Sequence, residues 1–184
     1  AIALIDVESK DRRIVGAATN SNTESPLYAP DGKTLAVIHM TRSPKVVFRP
    51  TLALIDVTSG SMRQIAQEFD AWPHIGDWSA DGTRLIVGAD VAGHVPVFAV
   101  DVATGKAERI THAREGGGHS DLSVLPDGRI AGIRSTFLEP PEAFVVTAKP
   151  ASPPQTLARL SGYDYPDWIE VENRTAKSTD GVEV

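Results

Sequence analysis

The run Gly118-His119-Ser120-Asp121-Leu122 sets a base, a hydroxyl and a carboxylate side by side, the three groups that acyl-transfer chemistry needs. A hydrolase nucleophile, however, sits in Gly-x-Ser-x-Gly on a sharp strand-to-helix turn, and Leu122 stands where the second glycine belongs. The run also enters an apolar strand. Adjacent side chains on a strand point to opposite faces, so His119 is not expected to serve Ser120, and no catalytic residue is assigned. The five histidines are His39, His74, His94, His112 and His119. No two stand at the i, i+2 or i, i+4 spacing of a local metal motif, and the chain has no cysteine, so no metal or cofactor is expected. Gly116-Gly117-Gly118 lacks the Lys-Ser/Thr of a phosphate loop and reads as a flexible connection.

The histidines gain meaning from a repeat. Ala29-Pro30-Asp31-Gly32, Ser79-Ala80-Asp81-Gly82 and Leu125-Pro126-Asp127-Gly128 carry the same turn, with aspartates 50 and 46 residues apart. A second marker keeps step with it: Ala3-Leu4-Ile5-Asp6-Val7, Ala53-Leu54-Ile55-Asp56-Val57, Phe98-Ala99-Val100-Asp101-Val102, and a weaker Phe144-Val145-Val146-Thr147. Asp-Gly supplies positive φ at low cost, and Asp bonds its own backbone, so these aspartates are explained by turn chemistry. Each turn leads into an apolar strand such as Thr34-Leu35-Ala36-Val37-Ile38. Four short strands in roughly 45–50 residues make one propeller blade.

The expected fold is therefore all-β: a partial β-propeller of about three and a half four-stranded antiparallel blades. The expected boundaries are a partial blade at 1–15, full blades at 25–66, 73–112 and 119–158, and a tail over 161–184. Within that frame Glu24 and His74 lie seven residues before their turn aspartates, and His119 lies eight before its own. First strands line the channel of a propeller, so these three are candidates for a ring around one channel mouth. Tyr28, Trp78 and Val124, each three residues before the aspartate, are expected to be core between blades.

Composition narrows the partners. The net charge is −6 and the 18 basic residues are scattered, which argues against nucleic acid. No apolar run approaches a membrane-spanning length, and absence of cysteine fits cytoplasm and periplasm alike. The first residues read as a strand entered partway, which implies chain upstream. Blade-sized repeats bury their faces only against neighbours, so self-association through open edges, or membership of a larger ring, is expected.

The Ser-x-Asp-Gly turn followed by an apolar strand resembles blades of the prolyl oligopeptidase family of serine peptidases, and also the Tol-type propellers. Ser135-Thr136-Phe137-Leu138-Glu139-Pro140-Pro141-Glu142-Ala143-Phe144-Val145-Val146 is similar to the last blade of acylaminoacyl-peptidase and dipeptidyl-peptidase-like members. The tail from Trp168-Ile169-Glu170-Val171 to Asp180-Gly181-Val182-Glu183-Val184 looks like that family's exit strand and linker. The resemblance implies a parent with a C-terminal α/β-hydrolase domain, reached by short peptides past the propeller. Two rivals stand beside it. One is a Tol-like or scaffold propeller that binds proteins. The other is a self-contained propeller enzyme such as a lactonase or phytase, which would need a metal-holding carboxylate cluster.

Overall fold

A computed structural model describes residues 1–42, 49–111, 117–159, 162, 172 and 174–181. Among the described residues there are fourteen strands and no helix. The first two, β1 (Ile2–Ile5) and β2 (Arg12–Val15), form a two-stranded sheet. The first full blade is β3 (Ser21–Tyr28), β4 (Thr34–Thr41), β5 (Pro50–Asp56) and β6 (Met62–Ile65). The second is β7 (Trp72–Trp78), β8 (Arg84–Asp90), β9 (Val97–Asp101) and β10 (Ala107–Arg109). The third is β11 (Gly118–Val124), β12 (Ile130–Ser135), β13 (Glu142–Val146) and β14 (Gln155–Ala158). Every sheet is an antiparallel meander in chain order.

The turns explain the repeat at atomic level. Gly32, Gly82 and Gly128 hold φ of 65°, 70° and 81°, and each donates its N–H to the carbonyl three residues back. Asp31, Asp81 and Asp127 each accept the N–H two residues on, at 2.8, 3.0 and 3.0 Å. The second marker works likewise. The Gly60 and Gly105 N–H groups donate to the Asp56 and Asp101 carbonyls, both at 2.8 Å. Those carboxylates in turn accept the N–H groups of Ser59 and Thr104. In the two-stranded sheet Lys10 fills the glycine position at φ 65°.

Strands that lack polar alternation are buried on both faces, and period two sorts their residues between neighbours. Leu35, Val37, Ala53 and Ile55 face β1–β2, packing with Val15. Ala36, Ile38, Leu52 and Leu54 face the second blade, meeting Trp78, Leu85, Val87, Phe98 and Val100. Ile86, Val97 and Ala99 face the third blade, meeting Leu122, Ile130, Phe144 and Val146. The core is thus a set of slabs between sheets. β7 touches β3, β4 and β5 of the first blade on one side and β11 of the third on the other.

Two expectations need comment. Trp78 is buried at 4% exposure, and its Nε1–H donates to the Leu27 carbonyl of the preceding blade at 3.3 Å. Tyr28 at the matching position is instead 50% exposed. The sheet beside it has only the strands β1 and β2, so no inner strand stands opposite Tyr28 as β3 stands opposite Trp78. The tail segments Tyr163-Asp164-Tyr165-Pro166 and Trp168–Val171 lie outside the described residues, as do His112 and Gly116. The Ser178–Gly181 turn is described, closed by the Gly181 N–H donating to the Ser178 carbonyl at 2.9 Å.

Candidate functional site

Three candidates were singled out by spacing: Glu24, His74 and His119. Strand pairing puts two of them at the same register of their blades and moves the third. Glu24 pairs with Ile38 and His74 with Gly88. Both stand four residues before the large residue that opens the turn, Tyr28 or Trp78, and both are exposed. His119 stands five residues before Val124 and pairs with Arg134. Its counterparts are Thr23, which pairs with His39, and Pro73, which pairs with Ala89. Ser120, paired with Ile133, is the true counterpart of Glu24 and His74. A one-residue offset along a strand flips a side chain to the other face. Accordingly Thr23 and His119 are buried, at 6% and 4% exposure, while Ser120 is exposed.

The positions are held in place by irregularities shared by all three inner strands. β3, β7 and β11 each carry a bulge just after this register, between Glu24 and Leu27, Ile75 and Asp77, and Ser120 and Ser123. Ser25 and Asp121 occupy positive φ there, 54° and 50°. A bulge re-aims side chains and twists an otherwise pairable edge, which suits strands that end a sheet on the channel side.

His74 and His119 both line one hollow of about 420 Å³ between the second and third blades, lined also by Gly76, Gly88, Ser120 and Asp121. His74 Nε2 lies 2.7 Å from Asp90 Oδ2, and both side chains are more than half exposed. Ser120 Oγ donates to Asp121 Oδ2 at 2.9 Å. His119 makes no bond to Ser120. Its Nδ1 lies 2.9 Å from the Val95 carbonyl, which can only accept, so Nδ1 carries the proton. Its ring meets Phe144 edge-on at a 5.0 Å centroid distance, and no described protein atom partners its buried Nε2. Burial is the main cause that pulls the His119 pKa below the ordinary 6.5; Arg134 adds to this, and the Val95 carbonyl opposes it. Neither a triad nor a metal cluster of three or more ligating side chains is formed among the described residues.

The hollow is bounded by close backbone approach. A Cβ on Gly76 would lie 2.6 Å from Leu122 Cβ, and one on Gly132 would lie 2.7 Å from the Ser120 carbonyl oxygen. Asp77 spans the same seam, accepting the Val124 N–H at 2.8 Å. Asp77 was not singled out by sequence; its only signal is a carboxylate one residue before Trp78.

No family model matches the chain. Dipeptidyl-peptidase 5 of Porphyromonas gingivalis is 27% identical over 157 residues, which cover 85% of this chain and 22% of that protein. The chain therefore spans about a fifth of the length of this curated relative. Among solved structures, TolB of Acinetobacter baumannii superposes with a TM-score of 0.63 at 17% identity, over 98% of this chain and 41% of that one. The β-propeller domain of the trilobed protease of Pyrococcus furiosus gives a TM-score of 0.61 at 13% identity, over 85% of this chain and 44% of that domain. The fold is a partial β-propeller. The resemblance to peptidase propellers read from the sequence has its counterpart here: the chain is similar, over 85% of its length, to part of a dipeptidyl-peptidase.

Proposed function

We propose that this chain is a non-catalytic propeller segment that controls access of short peptides to a hydrolase domain in the parent protein. The reading is supported by one arrangement above all. The inner strands β3, β7 and β11 run next to one another and turn the exposed polar residues Glu24, His74 and Ser120 to one register, in a chain whose curated relative is a dipeptidyl-peptidase. The mechanism is steric. A stiff ring of sheets admits a slender peptide and rejects a folded protein, while the chain's own groups do no bond-breaking. The segment from Glu172 to Val184 acts as the junction to the hydrolase domain in this reading.

The test is the parent protein. Its coding sequence is expected to continue past Val184 to a Gly-x-Ser-x-Gly within about a hundred residues or so, followed by Asp and His in that order. Its peptidase should cleave short peptides and spare folded substrates. Glu24→Ala with His74→Ala should alter peptide KM while leaving hydrolysis of a minimal ester unchanged. Unchanged peptide kinetics would remove these residues from the reading. A chain ending soon after Val184 would favour a protein-binding propeller instead, the reading supported by superposition on TolB over 98% of the chain.

A further inference from the structure

The seam between the second and third blades is fastened unlike the one before it. Val95 leaves its own hairpin and pairs in parallel with Gly118, the first residue of β11. Three bonds make the fastening. The Val95 N–H donates to the Gly117 carbonyl at 3.3 Å, the His119 N–H donates to the Val95 carbonyl at 3.1 Å, and His119 Nδ1–H donates to that same carbonyl at 2.9 Å. One histidine thus supplies both donors to a single inter-blade acceptor, from a side chain only 4% exposed.

We propose that this fastening is a proton-sensitive latch: His119 holds the seam closed while its ring is neutral, and protonation of Nε2 releases it. The buried Nε2 has no described protein partner, so a second N–H there would be a donor and a charge with nothing to meet it. A ring that leaves its place against Phe144 to hydrate Nε2 surrenders the bond to Val95.

The surrounding charges do not rescue the imidazolium. On β12, Arg134 pairs with His119 in register and is itself a cation, bound to Glu139. On β13, Glu142 pairs with Arg134 in register. On β7 and β8, His74 and Asp90 are bound to each other, and Asp77 is taken by the Val124 N–H. On β11 itself, Asp121 accepts from Ser120. His94 ends the hairpin just before Val95 and lies close enough in sequence to feel the same opening. Burial lowers the ring's pKa from 6.5, so the closed seam is fully favoured above that value and loses ground as pH falls below it. The latch stands on the seam's own geometry and does not depend on the peptidase reading.

Amide hydrogen exchange tests it on the unmodified chain. After correction for intrinsic rates, the Val95 and His119 amides should exchange measurably faster at pH 5.5 than at about pH 7.5. The seam between the first and second blades, at Leu27 and Trp78, should not respond. His119→Gln keeps a side-chain N–H for Val95 but cannot titrate, and should abolish the pH response. His74→Gln should leave it intact. Ring titration by NMR gives a check that needs no variant: the midpoint of the Val95 and His119 amide shifts should coincide with that of the His119 ring. A pH-independent seam, a response that survives in His119→Gln, or a midpoint that follows His74 overturns the latch.

Discussion

Turn geometry at single residues sets the first two outcomes to measure. Gly82 has φ 70°, and a Cβ there would meet only Pro30 Cδ at 3.7 Å, so Gly82→Ala costs backbone strain alone, about 1 kcal/mol. Gly105 has φ 73°, but its Cβ would lie 2.8 Å from the Ala66 backbone nitrogen, so Gly105→Ala should cost distinctly more. Urea unfolding of the two variants side by side checks the order. Asp81 is the second case. Bonds from the Ser79 hydroxyl first, then from the Thr83 N–H and hydroxyl, hold its carboxyl down from 3.8 to about 2. A depressed carboxylate contributes stability that is fully present above 3.8 and is lost as pH falls towards about 2. Asp81→Asn should therefore flatten the acid limb of a thermal-midpoint profile in that window and leave neutral pH less affected by pH change.

Elements matter here through the seams they form. The seam between the first and second blades depends on Trp78, which fills the apolar slab and donates to Leu27. Trp78→Phe should cost about 1 kcal/mol beyond its loss of volume, for the missing bond, and Trp78→Ala about 3–5 kcal/mol. The next seam uses a carboxylate for the same purpose. Asp77→Ala leaves the Val124 N–H without its acceptor and should cost about 1–3 kcal/mol, seen as a lower urea midpoint with the slope unchanged.

Among the described residues, two flanks of the molecule have no sheet covering them. Ala3, Ile5 and Ile14 share the face of β1–β2 turned away from the first full blade; Ile5 and Ile14 are 61% and 50% exposed. On the other flank every residue of β14 is exposed, with Leu157 at 60%. Sheets of this size bury both faces only against neighbours. The chain by itself should associate with rising concentration in sedimentation velocity, and Ile14→Lys should weaken that association. A stable monomer at all concentrations would count against open flanks.

Sequence alone determined the architecture, because a propeller writes its period into the turns: Asp-Gly at positive φ and a self-bonding aspartate are local chemistry that needs no distant partner. Strand alternation also parts neighbouring side chains, and His119 is buried where Ser120 is exposed. Pairing decided what spacing could not. His119 stands eight residues before Asp127, whereas Glu24 and His74 stand seven before their aspartates, and the ladder shows what that extra residue does: Ser120, seven before Asp127, is the one level with them. With period two, a single residue is the difference between the channel face and the seam, and only the hydrogen-bonded ladder fixes which residue that is.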